Sequence, residues 1–254
     1  MRRAVVIGGG LGGLAAAVHL RRVGFDVTVV ERQPELGGKV RRHVEAGYRF
    51  DMGPTILTMP FVLDELFATA GRDRRDYLDL LPVRPFYRAH FPCGLRFEMS
   101  DALGSVLAQI RAFAPHDEPA FVEYLARAGR IYALVERWFL NRLFHSWRDL
   151  ADPRLLLAGA RMDALVSLAA RVARSVRDPR LRQLLSYPSI YVGAAPDAVP
   201  ATYALISYLE LAHGVWFPRG GMFAVAEAVA RLCGELGVET RTGVAVERIA
   251  VERG

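Results

Sequence analysis

The sequence predicts an α/β fold in which a helical block interrupts a parallel sheet, and three observations carry that reading. A short apolar run at residues 4–7 ends in glycines, passes into an alanine-rich stretch and is followed by a second apolar run at 27–30. From Asp101 to about Leu185 apolar residues recur at helical spacing. Strand-like text then returns at 238–241 and 244–249. We divide the chain accordingly into residues 1–100, holding the β-α-β segment and the start of a second domain, 101–200, a helical insertion, and 201–254, a return to the sheet.

Taken in order, residues 4–7 read as a buried strand and 11–23 as a helix that Gly24 stops. Residues 27–30 complete a β-α-β unit whose crossover should be right-handed. A short strand is expected at 48–50, a helix at 59–70, and a hairpin from 86–91 and 95–99 around Pro92-Cys93-Gly94. Leu103, Val106, Leu107, Ile110 and Phe113 share one helical face. Asp152-Pro153 and Asp178-Pro179 punctuate the helical block, because a residue before proline disfavours helix. Further helices are expected at 201–211 and 222–236.

Gly8, Gly10 and Gly13 form G-x-G-x-x-G at the strand-to-helix turn. Gly8 permits the turn, Gly10 lets backbone approach a pyrophosphate, and Gly13 lets helix pack closely on strand. The helix then offers free N–H groups and the positive end of its dipole to phosphate. Glu31, 23 residues past Gly8, is placed to accept the ribose hydroxyls of an adenosine half. An acid there would repel the 2′-phosphate of NADP. A second glycine pair, Gly37-Gly38 followed by Lys39, favours FAD over NAD, since a longer dinucleotide with a tricyclic ring has use for a second close approach.

The chain of 254 residues has a formal charge of +6, and Lys39 is its one lysine. Between 120 and 180 stand eleven arginines against six acids, dispersed among Phe121, Leu125, Tyr132, Val135 and Phe139. That pattern suits an anionic membrane surface or a solvated helical face rather than nucleic acid. No apolar run reaches the roughly 18 residues of a membrane span. The opening Met1-Arg2-Arg3 leads into too short an apolar run for a secretory leader, so the cytoplasm is the expected location. Cys93 and Cys233 have neither metal nor redox-pair spacing and read as reduced and structural. No metal site or Ser-His-Asp spacing is seen, and the histidines are scattered.

Four ordered stretches, VIGGGLGGLAAAVHL, ERQPELGGKV, GYRFDMGPTILTMPFVLDELF and HGVWFPRGGM, resemble the bacterial carotenoid (phytoene) desaturases. These are FAD-dependent members of the wider amine-oxidase-like flavoprotein group. The resemblance implies a Rossmann-like FAD domain interleaved with a partly helical substrate and membrane domain. It implies FAD held by Gly8, Gly10, Gly12, Gly13, Glu31, Arg32, Gly37, Gly38 and Lys39, with Gly53, Pro54 and Thr55 near the ring and Val246 at the adenine. It implies dehydrogenation of C–C bonds in a polyene such as phytoene, by hydride loss from one carbon and proton loss from its neighbour, at the cytoplasmic face of the inner membrane. A related flavoprotein (a carotenoid isomerase or an amine oxidase) and a non-catalytic prenyl-lipid escort are the alternatives.

Such a substrate has no ionisable handle, so its binding rests on apolar area at about 25 cal/mol per Å². Trp138, Phe139, Leu140, Leu143, Phe144, residues 155–157 and the aromatics of SYPSIYVG are candidates to line a channel or dip into lipid, and Trp216 and Phe217 to abut the flavin side. For most of them core packing is the simpler role. Arg148-Asp149 matches an Arg-Asp pair for which the family suggests acid–base or carbocation-stabilising roles. A further arginine that the family carries three residues beyond that Asp is Asp152 here, which favours an ordinary helix-start ion pair. The family continues well beyond the position of Gly254, so the resemblance implies either a fragment or, as an expected partner, a complementing C-terminal half or an oligomer.

Overall fold

In the computed structural model, which describes residues 2–140, 142–146, 148–149 and 152–251, the chain opens with β1 (Arg3–Ile7), α1 (Leu11–Arg22) and β2 (Asp26–Val30). A hairpin of β3 (Arg42–Glu45) and β4 (Tyr48–Asp51) precedes α2 (Pro60–Thr69) and β5 (Leu80–Pro82). A second hairpin, β6 (Tyr87–His90) and β7 (Arg96–Met99), opens a helical run of α3 (Leu103–Phe113), α4 (Glu118–Val135), α5 (Pro153–Arg161), α6 (Leu168–Ser175), α7 (Pro179–Ser186) and α8 (Leu205–His213). Last come β8 (Trp216–Pro218), α9 (Phe223–Glu235) and β9 (Glu239–Arg241). The contacts define two units, one joining Met1–Val83 to Val215–Gly254 and the other holding Arg84–Gly214.

In the first unit β1, β2 and β9 form a parallel sheet in the order β1-β2-β9, with Val5 opposite Thr28 and Thr28 opposite Glu239. Val27 and Val29 alternate to one face and are buried with Leu14, Ala17 and Val18 of α1 and Val225, Val229 and Leu232 of α9. Each fully buried aliphatic side chain contributes about 1.5–3 kcal/mol relative to exposure. His19, Arg21 and Arg22 in the last turn of α1 suit the negative end of its dipole, and Gly24, at φ +88, turns the chain into β2. Cys233 is buried in this core.

The second unit has its own core, in which Val106, Ile110, Phe121, Leu168, Leu181 and Leu185 pack with Phe97 and Met99 of β7. That shared core is why the β6–β7 hairpin belongs with the helices rather than with residues 1–100. Helix α8 also lies in this unit rather than with residues 201–254. Three helix starts carry capping side chains: Asp152, Ser167 and Asp178 accept from Arg154, Ala170 and Arg180 N–H groups, with Pro153 and Pro179 at the first helical positions. Buried Asp117 accepts from the backbone N–H groups of Arg177 and Asp178, tying the start of α4 to the start of α7.

Three expectations need correction. Residues 244–249 form no strand: Val244 donates to the Glu31 carbonyl at 3.0 Å, and no regular element follows it among the described residues. A short apolar run makes a strand only when a neighbour supplies the ladder, and no strand lies beside this stretch among the described residues. Residues 201–211 start as a 3₁₀ turn, Ala201–Ala204, before α8 begins. Cys93, read as structural, is exposed at the tip of the β6–β7 hairpin, outside either core.

Candidate functional site

The glycine turn places three short segments around one cavity of about 680 Å³ in the first unit. It is lined by Gly8 and Gly10, by Glu31, Arg32 and Gln33, by Gly38, Lys39 and Arg41, and by Met52, Gly53 and Pro54. Gly8 adopts φ +102 and donates to the Val30 carbonyl at 2.8 Å, turning the chain from β1 to α1. A Cβ at Gly13 would overlap the Gly8 carbonyl oxygen, so helix and turn meet at a distance only glycine allows. Gly38 and Gly10 approach as closely: a Cβ on Gly38 would stand 2.9 Å from the Gly10 Cα.

Helix α1 begins at Gly10 without a side-chain cap. Its positive end therefore opens beside the cavity with no acid in its own first turn, the Glu31 carboxylate holding only the Gly9 N–H just ahead of it. Arg32, Lys39 and Arg41 add three cations to the lining, against the single acid Glu31. That balance suits a pyrophosphate.

Glu31 is buried and its two carboxylate oxygens are already engaged. Oε2 accepts from the Gly9 N–H at 2.7 Å and Oε1 from the Gln33 N–H at 2.8 Å. A carboxylate oxygen has a second lone pair, so acceptor capacity toward a ribose remains. The acid thus fixes the turn as well as facing the cavity. Asp51 has a similar long-range duty. Its carboxylate accepts from the Met222 and Phe223 N–H groups at 2.9 and 3.2 Å, capping α9 from β4 and holding the loop that carries Met52–Pro54.

Of the residues singled out in the sequence, Gly8, Gly10, Glu31, Arg32, Gly38, Lys39, Gly53 and Pro54 come together around this cavity. Gly13 lies beneath the turn, and Gly37, at φ +121, supports the wall by donating to the Gly9 carbonyl at 2.8 Å. Gly12 borders a separate hollow with Leu11, Ala15 and His19, and neither Thr55 nor Val246, both exposed, lines the cavity. Gln33, Arg41 and Met52 line it and Asp51 braces it, though none was singled out in the sequence; the signals available were that Gln33, Asp51 and Met52 fall within the stretches ERQPELGGKV and GYRFDMGPTILTMPFVLDELF, and that Arg41 directly follows the first of them.

In the second unit the Asp149 carboxylate accepts from the His145 and Ser146 N–H groups at 2.7 and 2.9 Å. Those two N–H groups, Ser146 first, hold its pKa below the ordinary carboxylate range. Arg148 N–H donates to the Ser146 hydroxyl at 3.2 Å. Asp152 pairs with Arg142 at 3.0 Å while capping α5. Leu155 is buried, Phe139, Leu140, Leu143, Phe144 and Leu157 are exposed, and the side chain of Leu156 lies outside the described residues, as do Asn141 and Trp147.

A parallel β-α-β unit with an uncapped helix start, a second glycine approach and a terminal acid defines a dinucleotide-binding protein. The sequence model of the flavin containing amine oxidoreductases matches residues 11–254, and the chain belongs to that family. It is 37% identical over 253 residues to a zeta-carotene-forming phytoene desaturase of Myxococcus xanthus, covering 100% of this chain and 49% of the relative. It is 38% identical over 246 residues to a phytoene dehydrogenase of Streptomyces griseus, covering 96% and 48%. The chain thus spans about half the length of these relatives. Among solved structures, putrescine oxidase bound to putrescine shares the fold, with a TM-score of 0.57 at 18% identity over 95% of this chain and 50% of that one. The family's cofactor is a flavin, and the uncapped helix, the Gly10–Gly38 approach and buried Glu31 fit FAD.

Proposed function

We propose that this chain contributes the FAD-binding part of an FAD-dependent desaturase that introduces C=C bonds into a carotenoid precursor such as phytoene, in carotenoid biosynthesis. The observation that carries the reading is the cavity lined by Gly8, Gly10 and Gly38, with Glu31, Arg32, Lys39 and Arg41 also in its lining, in a chain alike along its whole length to a phytoene desaturase. In this reading Gly8, Gly10, Gly38 and the start of α1 hold the diphosphate, Glu31 the adenosine ribose, and Gly53 and Pro54 the ring side. Gly13 and Gly37 support them from behind, and Gly12, Thr55 and Val246 have no part in the cavity as it stands.

When bound, FAD supplies a two-electron acceptor for hydride. The polypeptide's own work is to bind, to orient and to keep water out. The exposed apolar side chains Phe139, Leu140, Leu143, Phe144, Leu157, Ile190 and Val192, on a unit rich in arginine, support peripheral attachment to an anionic bilayer at the cytoplasmic face of the inner membrane. No described helix is long and apolar enough to cross a membrane.

The test is anaerobic. The chain, loaded with FAD, is offered phytoene in liposomes and, separately, a panel of amines, and the flavin absorbance near ~450 nm is followed. Bleaching by the polyene alone supports the proposal. Bleaching by an amine alone contradicts it.

A further inference from the structure

Glu31, Asp117, Asp163 and Glu210 are buried acids, and a buried carboxylate needs N–H donors or a cation to offset its desolvation. Glu31 has the Gly9 and Gln33 N–H groups, and Asp117 those of Arg177 and Asp178. Asp163 holds the guanidinium groups of Arg127 and Arg171 at 2.6 and 2.7 Å. Glu210, on α8, is 3% exposed, and its carboxylate has only the neutral Tyr191 hydroxyl as a donor among the described residues. Burial lifts its pKa, and the same hydroxyl is all that opposes the lift. In a chain with 33 lysines and arginines, this buried acid has been left without a counter-charge.

Its surroundings are aromatic. Tyr187 and Tyr191 belong to one 3₁₀ turn, Tyr187–Val192, and their rings meet nearly at right angles with centroids 5.9 Å apart. Tyr87 of β6 stacks on Tyr187 at 4.4 Å. Burial first, and then the Glu210 carboxylate, raise the pKa of both Tyr87 and Tyr191, so the acid is felt across the group. Tyr191 is 42% exposed between the exposed side chains of Ile190 and Val192, which opens the group to the surface through an apolar rim. The negative faces of such rings attract cations, organic ones included. No set of three His, Cys, Asp or Glu able to hold a metal ion occurs among the described residues.

We propose that Glu210 and the rings of Tyr87, Tyr187 and Tyr191 form a site for an organic cation with apolar substituents. On the desaturase reading, on which this step rests, that cation is the carbon left positive when hydride leaves the polyene. One C–H bond breaks and its electron pair goes with the hydrogen to the flavin. The C–H bond on the neighbouring carbon gives its pair to the new C=C bond. Its proton passes to the Tyr191 oxygen, while the Tyr191 proton moves to Glu210 and discharges the carboxylate.

The experiment uses the full chain without flavin at about pH 8, where carboxyl groups are ionised, and two probes of one shape. One is a trimethylammonium ion carrying a single geranyl chain, and the other its uncharged counterpart with carbon in place of nitrogen. Equilibrium dialysis is expected to show the cation bound at least about tenfold more tightly than its counterpart. Glu210→Gln, which keeps the shape and the acceptor for Tyr191, should bring the two affinities together and leave that of the uncharged probe unchanged. Should that variant not fold, Tyr191→Phe decides, since it keeps the ring, frees the carboxylate and should hold the cation at least as tightly as the wild type. Equal affinities in the wild type, a preference that survives Glu210→Gln, or a preference lost in Tyr191→Phe would overturn the proposal. Selective binding by a chain whose flavin is bleached by an amine alone would uphold the cation site and contradict only the desaturase reading.

Discussion

The Glu31 carboxylate accepts the Gly9 backbone N–H at 2.7 Å across the glycine turn, joining the end of β2 to the start of α1. The same group accepts from Gln33 at 2.8 Å. Glu31→Ala leaves both N–H groups without their acceptor, which costs about 1–3 kcal/mol for a buried donor. The flavin-free protein should therefore melt lower, and FAD should bind at least about tenfold more weakly. Thermal unfolding without flavin, beside a flavin titration, separates the two effects. An unchanged melting temperature would mean that Glu31 does not brace the turn.

Gly12 and Gly13 are adjacent in sequence and opposite in tolerance. A Cβ at Gly13 meets the Gly8 carbonyl and stands 3.3 Å from Val6 Cγ1, whereas at Gly12 nothing lies within 4 Å. Gly13→Ala should destabilise by about 1–3 kcal/mol through overpacking against backbone. Gly12→Ala should be neutral or stabilising by up to about 1 kcal/mol, from helix propensity. Denaturant unfolding of the two variants tests the contrast.

Asp149 gives a discriminating pair of substitutions. Its carboxylate holds the His145 and Ser146 N–H groups, a duty that the side-chain carbonyl introduced by Asp149→Asn would keep and that Asp149→Ala would lose. If capping is its role, Asp149→Ala should lower the melting temperature and Asp149→Asn should lower it much less. A proton-transfer role would make the two substitutions equally damaging to turnover, in a preparation that desaturates phytoene.

Glu210 makes the second unit sensitive to pH. It is buried on α8 and accepts a hydrogen bond from the Tyr191 hydroxyl. Burial raises its pKa above the ordinary 4.5, and the Tyr191 hydroxyl only partly opposes this. A raised folded-state pKa means that the folded protein holds the proton more tightly than the unfolded chain. The associated stability is fully present below about pH 4.5 and is lost as pH rises through the folded pKa. Glu210→Gln should flatten that slope, gaining on the wild type at alkaline pH and matching it at about pH 4. Melting temperatures measured from about pH 4 to about pH 9 read this directly; parallel curves for the two proteins would refute it.

The β-α-β unit was legible because its signals are local: apolar runs of strand length, glycines at fixed offsets and an acid at the second strand's end. The helical block was legible from periodicity at Leu103, Val106, Ile110 and their neighbours. What escaped is non-local. β5 and β8 are three residues each and exist because Leu81 pairs with Phe217, far away in sequence. Asp51 reads as an ordinary acid after Phe50 until the fold brings the start of α9 to it. Residues 244–249 mislead in the other direction, since the apolar Val244, Ala245 and Val246 read as strand while their ladder partner is missing from the described structure. In the site, the glycines announced themselves by spacing, while Gln33, Arg41 and Met52 line the cavity through neighbourhood alone.

The central claim is that the cavity lined by Gly8, Gly10, Glu31 and Gly38 takes the diphosphate and adenosine of FAD. Fluorescence titration of FAD into the purified chain, repeated with ADP and with riboflavin as competitors, tests it most directly. The expected result is one FAD bound per chain, displaced by ADP and not by riboflavin, since the diphosphate and the ribose at Glu31 hold the ligand. Failure to bind FAD, or binding that riboflavin displaces and ADP does not, would contradict the account.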